Sequence, residues 1–73
     1  MRETIDFHLR ADEEFIPLMS LLKAVNVVYS GAEAGDLITQ GLVLRDGLPE
    51  LRKRAKIHSG ETIIFDKIEI KVY

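Results

Sequence analysis

Apolar and polar residues alternate near the start of the chain. Between Thr4 and Arg10 every second residue is apolar, and the residues between them are polar or charged. A period of two is typical of a strand that buries one face. The apolar positions are Ile5, Phe7 and Leu9. We therefore expect a half-buried β-strand over Thr4–Arg10.

The spacing of apolar residues then changes to three and four. Pro17 fits the first turn of a helix, where a missing backbone N–H costs nothing. The acidic run Asp12–Glu14 precedes this stretch and suits the positive end of a helix dipole. The pattern predicts a first helix over about residues 15–26. The apolar residues that repeat are Phe15, Leu18, Met19, Leu22 and Val25.

A second helix has a clearer start. Ser30 and Glu33 have the spacing of a capping box, in which each side chain bonds a free backbone N–H of the other residue. Gly41 is a natural stop, because glycine readily adopts the left-handed conformation at a helix end. We predict this helix over about residues 31–40, packed as a hairpin with the first. Its apolar stripe is Ala34, Leu37 and Ile38.

The remainder of the chain has strand patterns separated by turns. Asp46-Gly47 is a strong signal for a two-residue hairpin turn, and Pro49 restricts the following segment to a sheet edge or an irregular start. The order of elements is β–α–α–β–β–β–β, which predicts an α+β fold with a helical hairpin on a small, mostly antiparallel sheet. The other strands and turns are Leu42–Arg45, His58–Glu61, Thr62–Phe65, Asp66-Lys67 and Ile68–Val72.

The composition limits the kind of protein. The 73 residues are 47% hydrophobic and 30% charged, as expected of a single globular domain over residues 1–73. The absence of cysteine excludes disulfides and thiolate metal sites and fits a reducing compartment. No apolar run could span a membrane, and Met1-Arg2-Glu3 does not begin a signal core. We expect a cytoplasmic monomer.

A catalytic constellation is missing from the sequence. There is no cysteine nucleophile, no G-x-S-x-G elbow and no glycine-rich phosphate loop of the known nucleotide-binding patterns. His8 and His58 are isolated and lack the spacing of metal ligands. Asp12–Glu14 lacks the alternation of a calcium-binding loop. We therefore expect a protein that is not an enzyme and needs no cofactor or metal.

Positive charge is concentrated in one part of the chain. The net charge is −2, yet residues 41–60 carry five cations against two acids. If the segment Arg52–Ile57 is extended, three of its cations lie on one face about 7 Å apart, close to the spacing of successive phosphates. The alternative is an edge strand kept charged against aggregation, and this feature alone leaves both open. The three cations are Arg52, Arg54 and Lys56.

The start of the second helix is a further candidate for anion binding. Its free N–H groups and dipole favour an anion, and Gly31 allows close approach. Gly35 inside the helix costs about 1 kcal/mol relative to alanine, so something close should compensate for it. Tight packing of the first helix against these glycines is the alternative. Lys23 would border the same surface.

Several blocks of the chain, in this order and spacing, resemble one known family. The blocks are Leu21-Leu22-Lys23, Ser30-Gly31-Ala32-Glu33-Ala34, Gly41 to Gly47, Glu50 to Ile57, and Gly60. They resemble the S-four-type RNA-binding domain, or αL motif, and within it the short stand-alone bacterial proteins of the YbcJ/YaaA-like group. The likeness covers about residues 15–65. It implies a helical hairpin on a small, bent β-sheet that binds structured RNA.

The resemblance also implies the partner and its contacts. The partner would be ribosomal or transfer RNA, alone or within a ribosome or another ribonucleoprotein. No aromatic residue lies in the basic block, which argues against a stacking platform for single strands. The alternative function is a protein-interaction module that docks on an acidic partner. The implied RNA-binding residues are Lys23, Ser30, Gly31, Arg45, Arg52, Lys53, Arg54 and Lys56.

Overall fold

The computed structural model describes residues 3–73. Met1 and Arg2, for which no signal core is expected, lie outside the described residues. It contains two helices, α1 (Leu18–Ala24) and α2 (Gly31–Thr39). The strands are β1 (Glu3–Phe7), β2 (Phe15–Pro17), β3 (Val43–Arg45), β4 (Leu48–Pro49), β5 (Lys56–His58), β6 (Thr62–Phe65) and β7 (Ile68–Val72). Over residues 3–73, neither helix has the length and apolarity needed to cross a bilayer.

Five strands form one mixed sheet in the order β1-β7-β6-β3-β4. β1 pairs with β7 in parallel, whereas the other neighbours in this sheet are antiparallel. β2 and β5 form a separate antiparallel ribbon, with Ile16 opposite Ile57. The predicted α+β class, with two helices on a small and mostly antiparallel sheet, is confirmed.

One hydrophobic core joins both helices, the ribbon and the large sheet. Burying an aliphatic side chain of this size contributes roughly 1.5–3 kcal/mol, so these contacts supply most of the driving force for folding. The sheet contributes alternate residues, as its period of two requires. The largest fully buried side chains are Leu18, Leu21, Leu22, Ile38, Ile57, Ile63 and Ile70.

The first helix is shorter than the sequence predicts. Residues 15–17 form β2 instead, and the backbone of Pro17 is extended, with φ −59° and ψ 140°. Proline disfavours helical geometry in the residue before it, which here is Ile16, so the helix can begin only after this segment. The expected start at residue 15 was wrong, and so was the role of Asp12–Glu14 at a helix start. Glu13 instead accepts a hydrogen bond from the Arg10 N–H at 2.9 Å.

The second helix agrees closely with its prediction. Ser30 Oγ accepts a hydrogen bond from Glu33 N at 3.1 Å, which confirms the cap. The Glu33 carboxylate reaches the N–H of Tyr29 at 3.2 Å, one residue before the partner that a capping box would give it. At the other end Gly41 has φ +78°, and its N–H bonds the carbonyl of Ile38 at 3.0 Å. This is the glycine-terminated helix end that the sequence indicates.

The hairpin turn at Asp46-Gly47 is also as predicted. Both residues have positive φ, 48° and 93°, and the flanking Arg45 and Leu48 are paired. These are the angles of a type I′ turn, whose twist matches that of the strands it joins. Pro49 lies in β4 at the edge of the sheet, where its missing N–H leaves no ladder bond unmade.

The buried side of the ribbon gives a direct test of the core. Ile57→Ala removes a side chain that is 0% exposed. We expect it to lower the free energy of unfolding by about 2–5 kcal/mol, because lost transfer energy and a new cavity add together. Urea denaturation followed by circular dichroism measures the loss.

Leu48→Ala is the matched control, since Leu48 is 72% exposed. We expect it to change the free energy of unfolding by less than about 0.5 kcal/mol. Equal losses in the two variants would contradict the packing described for the ribbon.

Candidate nucleic-acid interface

The segment Arg52–Lys56, called the basic loop below, connects the region after β4 to β5. It is not the extended row of cations that the sequence suggested. Lys53 and Arg54 form a turn, closed by a hydrogen bond from Ala55 N to Arg52 O at 3.2 Å, and only Lys56 belongs to a strand. The even 7 Å spacing along one strand face is therefore wrong. All four cations are nevertheless exposed, whereas Ala55 is buried.

Helix α1 holds the backbone of the basic loop. The N–H of Leu18 donates to the carbonyl of Ala55 at 2.9 Å, and the N–H of Met19 donates to the carbonyl of Lys53 at 3.0 Å. The first N–H groups of a helix have no partner within it, so these two carbonyls act as its cap. The loop thereby gains a fixed backbone while its charged side chains remain in solvent.

Arg45 holds the loop from the other side. Its guanidinium donates to Glu50 Oε1 at 3.0 Å and to Glu61 Oε1 at 2.7 Å. A further bond of 2.9 Å reaches the carbonyl of Lys56. The side chain is only 22% exposed. Arg45 thus links β3 to the start of β5 and to the residue before β6.

Glu50 is shared between two arginines. Its Oε2 accepts from Arg52 Nε at 3.1 Å and from the backbone N–H of Arg52 at 3.2 Å, while Oε1 faces Arg45. The Glu50 side chain is 11% exposed, but that of Arg52 is 74% exposed. Arg52 is therefore oriented by its carboxylate partner and still presents most of its guanidinium to solvent.

These contacts lower the pKa values of both carboxylates. The Arg52 guanidinium lowers the pKa of Glu50 to about 2, with Arg45 adding to the effect and burial opposing it. For Glu61, burial acts to raise the pKa, but the N–H of His58 and the Arg45 guanidinium outweigh it and the pKa lies below its ordinary value. Both groups are negatively charged at neutral pH and balance part of the local positive charge.

The glycines of α2 meet two different neighbours. A β-carbon at Gly31 would lie 3.0 Å from Met19 Cε. Helix α1 therefore packs tightly against Gly31, which is the alternative that the sequence left open beside anion binding. A β-carbon at Gly35 would lie 3.1 Å from Cδ and Cε of Lys53. The stem of Lys53 therefore crosses α2 at Gly35, and this contact offsets the helix-forming cost of the glycine.

The other expected contacts lie further along the helices. Ser30 caps α2 through its hydroxyl, and the acidic Glu33 occupies the first turn at the positive end of the dipole. Lys23 is exposed in the last turn of α1, about 7 Å along the helix axis from Leu18, where the basic loop attaches. Five of the eight expected residues thus come together around the loop: Arg45, Arg52, Lys53, Arg54 and Lys56.

An aromatic residue, not expected from the sequence, also lies at this site. Phe15 lies in β2 directly opposite His58, and the two rings are 6.0 Å apart at an angle of 49°. Lys56 Nζ lies over the Phe15 ring, 5.1 Å from its centre. Such a cation–π contact contributes about 0.5–1 kcal/mol when exposed. The signal available in the sequence was Pro17, which favours an extended segment before it.

An open depression of about 490 Å³ lies beside the basic loop. Its walls carry guanidinium, ammonium and imidazole groups, which together favour an anionic ligand. Within residues 3–73 no group of acidic or histidine side chains is arranged to hold a metal ion. The depression is lined by Arg45, Arg52, Arg54, Ala55, Lys56 and His58.

The lowered pKa of Glu50 makes stability depend on pH. The pKa is about 2 in the folded protein and 4.5 as a free side chain, so the stabilisation is complete above pH 4.5 and is lost as the pH falls towards 2. We expect the wild type to lose about 2 kcal/mol more than Glu50→Gln between pH 5 and pH 2, a value reduced for the solvent exposure of Arg52. Urea denaturation at a series of pH values measures the difference. Parallel pH profiles for the two proteins would contradict the pairing.

Comparison with known proteins places this arrangement in a family. The S4 domain family matches residues 8–73. The protein named "Putative RNA-binding protein YbcJ" from Escherichia coli (strain K12) is 40% identical over 57 residues, which cover 78% of this chain and 81% of that relative. "Uncharacterized protein YbcJ" from Shigella flexneri matches with the same figures.

A solved structure agrees with the fold. The solution structure of YbcJ from Escherichia coli, described as having an αL motif involved in RNA binding, superimposes with a TM-score of 0.72 and 36% sequence identity. The match covers 99% of this chain and 90% of that one. Sequence and structure therefore agree with the resemblance drawn from the blocks of residues, and the chain belongs to the S4 domain family.

Proposed function

We propose that this protein binds structured RNA through the basic loop, and that the start of α2 borders the contact surface. The observation that carries the proposal is a loop whose backbone is fixed by α1 and Arg45 while its four cations remain exposed, three of them around a depression. The RNA-binding name of the Escherichia coli relative supports the same function.

A fixed loop suits phosphate binding for a thermodynamic reason. Side chains on a mobile loop would lose backbone freedom when they bind, and this loss would weaken the complex. Here the turn at Lys53 and Arg54 is already formed in the free protein. Affinity would come chiefly from neutralised phosphates and would therefore fall steeply with salt.

The proposed roles differ among the eight residues. Lys53, Arg54 and Lys56 contact phosphates directly, and Arg52 does so with the part of its guanidinium not held by a carboxylate. Arg45 is a positioning residue, because its donors are already used within the protein. The remaining residues border the surface along the helices; they are Lys23, Ser30 and Gly31.

The wider biological role that we propose rests on the resemblance to the S4 domain family. The expectation that the chain is not an enzyme is confirmed by its membership of a non-catalytic family, one relative of which is named a putative RNA-binding protein. Its RNA partner would be ribosomal or transfer RNA, bound by a monomer in the cytoplasm, free or within a ribonucleoprotein.

A second candidate function is docking on an acidic protein. Leu48 and Leu51, which flank the segment before the basic loop, are 72% and 57% exposed. Apolar side chains beside cations suit a partner that is both acidic and apolar. A complex that resists nuclease and contains one dominant protein would favour this function over RNA binding.

Two exposed cations of the depression that form no ion pair with any of residues 3–73 give the sharpest test of RNA binding: Arg54 and Lys56. We expect Arg54→Gln with Lys56→Gln to weaken binding to transfer RNA or a ribosomal RNA hairpin by about tenfold or more at moderate salt. The slope of log affinity against log salt should fall by roughly 1.4–1.8, the contribution of two phosphate contacts. Fluorescence anisotropy at several salt concentrations measures both quantities.

Lys67→Gln with Lys71→Gln is the control, because it removes the same charge at exposed positions around β7. We expect it to change affinity less than about twofold. Equal losses in the two double variants would show that only net charge matters and would refute the assigned surface. Duplex DNA is the comparison ligand, and binding to it as tight as to RNA would refute the preference for structured RNA.

A further inference from the structure

The outer face of the β2–β5 ribbon carries chemistry that the phosphate contacts do not use. Residues opposite each other on antiparallel strands share a face. Because Ile16 and Ile57 face the core, the neighbouring pairs face outward. Those pairs are Phe15 with His58, and Pro17 with Lys56. The outer face therefore places an aromatic ring and an imidazole beside the cations of the basic loop.

The depression next to this face is large enough for one nucleotide. Its volume of about 490 Å³ lies within the roughly 300–1,000 Å³ range of small-ligand sites. Arg52 and Arg54 line part of it, and Lys56 and His58, which belong to the ribbon, line another part. Flat rings beside cations match the two parts of a nucleotide, a base and a phosphate.

We propose that this site binds one unpaired nucleotide of a folded RNA. The base lies against Phe15 and His58, and its phosphate lies between Arg54 and Lys56. The inference rests on the proposed function and adds to it the feature of the RNA that is recognised. A fully paired stem cannot supply such a base, because its bases are stacked inside the helix.

The position of Lys56 bears on whether a base can reach the ring. Its ammonium lies over Phe15 in the free protein, 5.1 Å from the ring centre. An exposed contact of this kind is worth about two- to fivefold in an equilibrium constant, whereas stacking of a base on an aromatic side chain is worth about five- to 150-fold. A base therefore displaces the ammonium, and the exposed Lys56 side chain is then free to pair with phosphate.

Three RNA hairpins with the same stem test the inference. One carries a bulged adenosine, one carries an abasic ribose at the bulge, and one is fully paired. The adenosine and abasic hairpins have the same phosphates and differ only in the base. We expect the wild type to bind the adenosine bulge about fivefold or more tightly than the abasic bulge. Fluorescence anisotropy at one salt concentration gives this ratio.

Phe15→Leu removes the aromatic face but keeps an apolar side chain, so it should reduce the ratio to less than about twofold. Phe65→Leu is the matched control. Phe65 is also half-buried, but it is the last residue of β6 and lies at the end of this strand away from Glu61. It should keep the wild-type ratio, and urea denaturation establishes that both variants fold.

The possible results separate the inference from the function on which it rests. Equal binding of the adenosine and abasic bulges by the wild type would overturn the nucleotide site and leave RNA binding in place. A ratio lost equally in both phenylalanine variants would also overturn it. Failure of the wild type to bind all three hairpins at low salt would overturn the proposed function itself.

Discussion

The guanidinium of Arg45 holds together three segments that are distant in the sequence. Glu50 and Glu61 both bind this guanidinium, and without it each partly buried carboxylate would lose a charged partner. The planar fork of arginine can serve both carboxylates and the Lys56 carbonyl at once, whereas the single ammonium of lysine lacks that rigid geometry. This one side chain thus joins the end of the basic loop at Lys56 to the large sheet.

The same arrangement explains how four neighbouring cations can remain exposed without disrupting the fold. The loop backbone is fixed by the first two N–H groups of α1, and the buried Ala55 anchors it in the core. Glu50 offsets part of the charge repulsion between the arginines. Gly35 gives the stem of Lys53 a place on α2, which a larger residue would obstruct. The backbone atoms of the basic loop thus stabilise the fold, while its charged side-chain ends remain exposed.

Much of the fold could be predicted because its signals are local. The cap at Ser30, the stop at Gly41 and the hairpin turn at Asp46-Gly47 each depend on a few adjacent residues. The strand at 15–17 was missed although Pro17 favours an extended segment, because helical spacing fits the same residues and the pairing partner, β5, lies about forty residues away. The sequence identified the basic loop correctly, because four of its five adjacent residues are cations.

The geometry of the site depends on distant contacts and was less accessible. Charge alone does not distinguish Arg45, which is held by Glu61 sixteen residues away, from its solvent-exposed neighbours. The turn at Lys53 and Arg54 is held by hydrogen bonds from the first N–H groups of α1 to carbonyls of the basic loop. The sequence of the loop does not reveal these bonds, and its charge pattern alone favoured an extended row of cations. Phe15 was assigned to a helix face for the same reason, and its place beside Lys56 became apparent only with the ribbon.

The parallel pairing of β1 with β7 has a consequence for how the chain folds as it is made. The two strands are separated by about sixty residues, and closing a loop of that length costs roughly 4 kcal/mol of chain entropy. At a synthesis rate of about 5–20 residues per second, β1 waits some 3–12 seconds for its partner. During that interval the apolar residues of β1, including Ile5 and Phe7, lack the strand with which they later pair. The β1 edge of the sheet therefore cannot form until the strand at the other end of the described chain has been made.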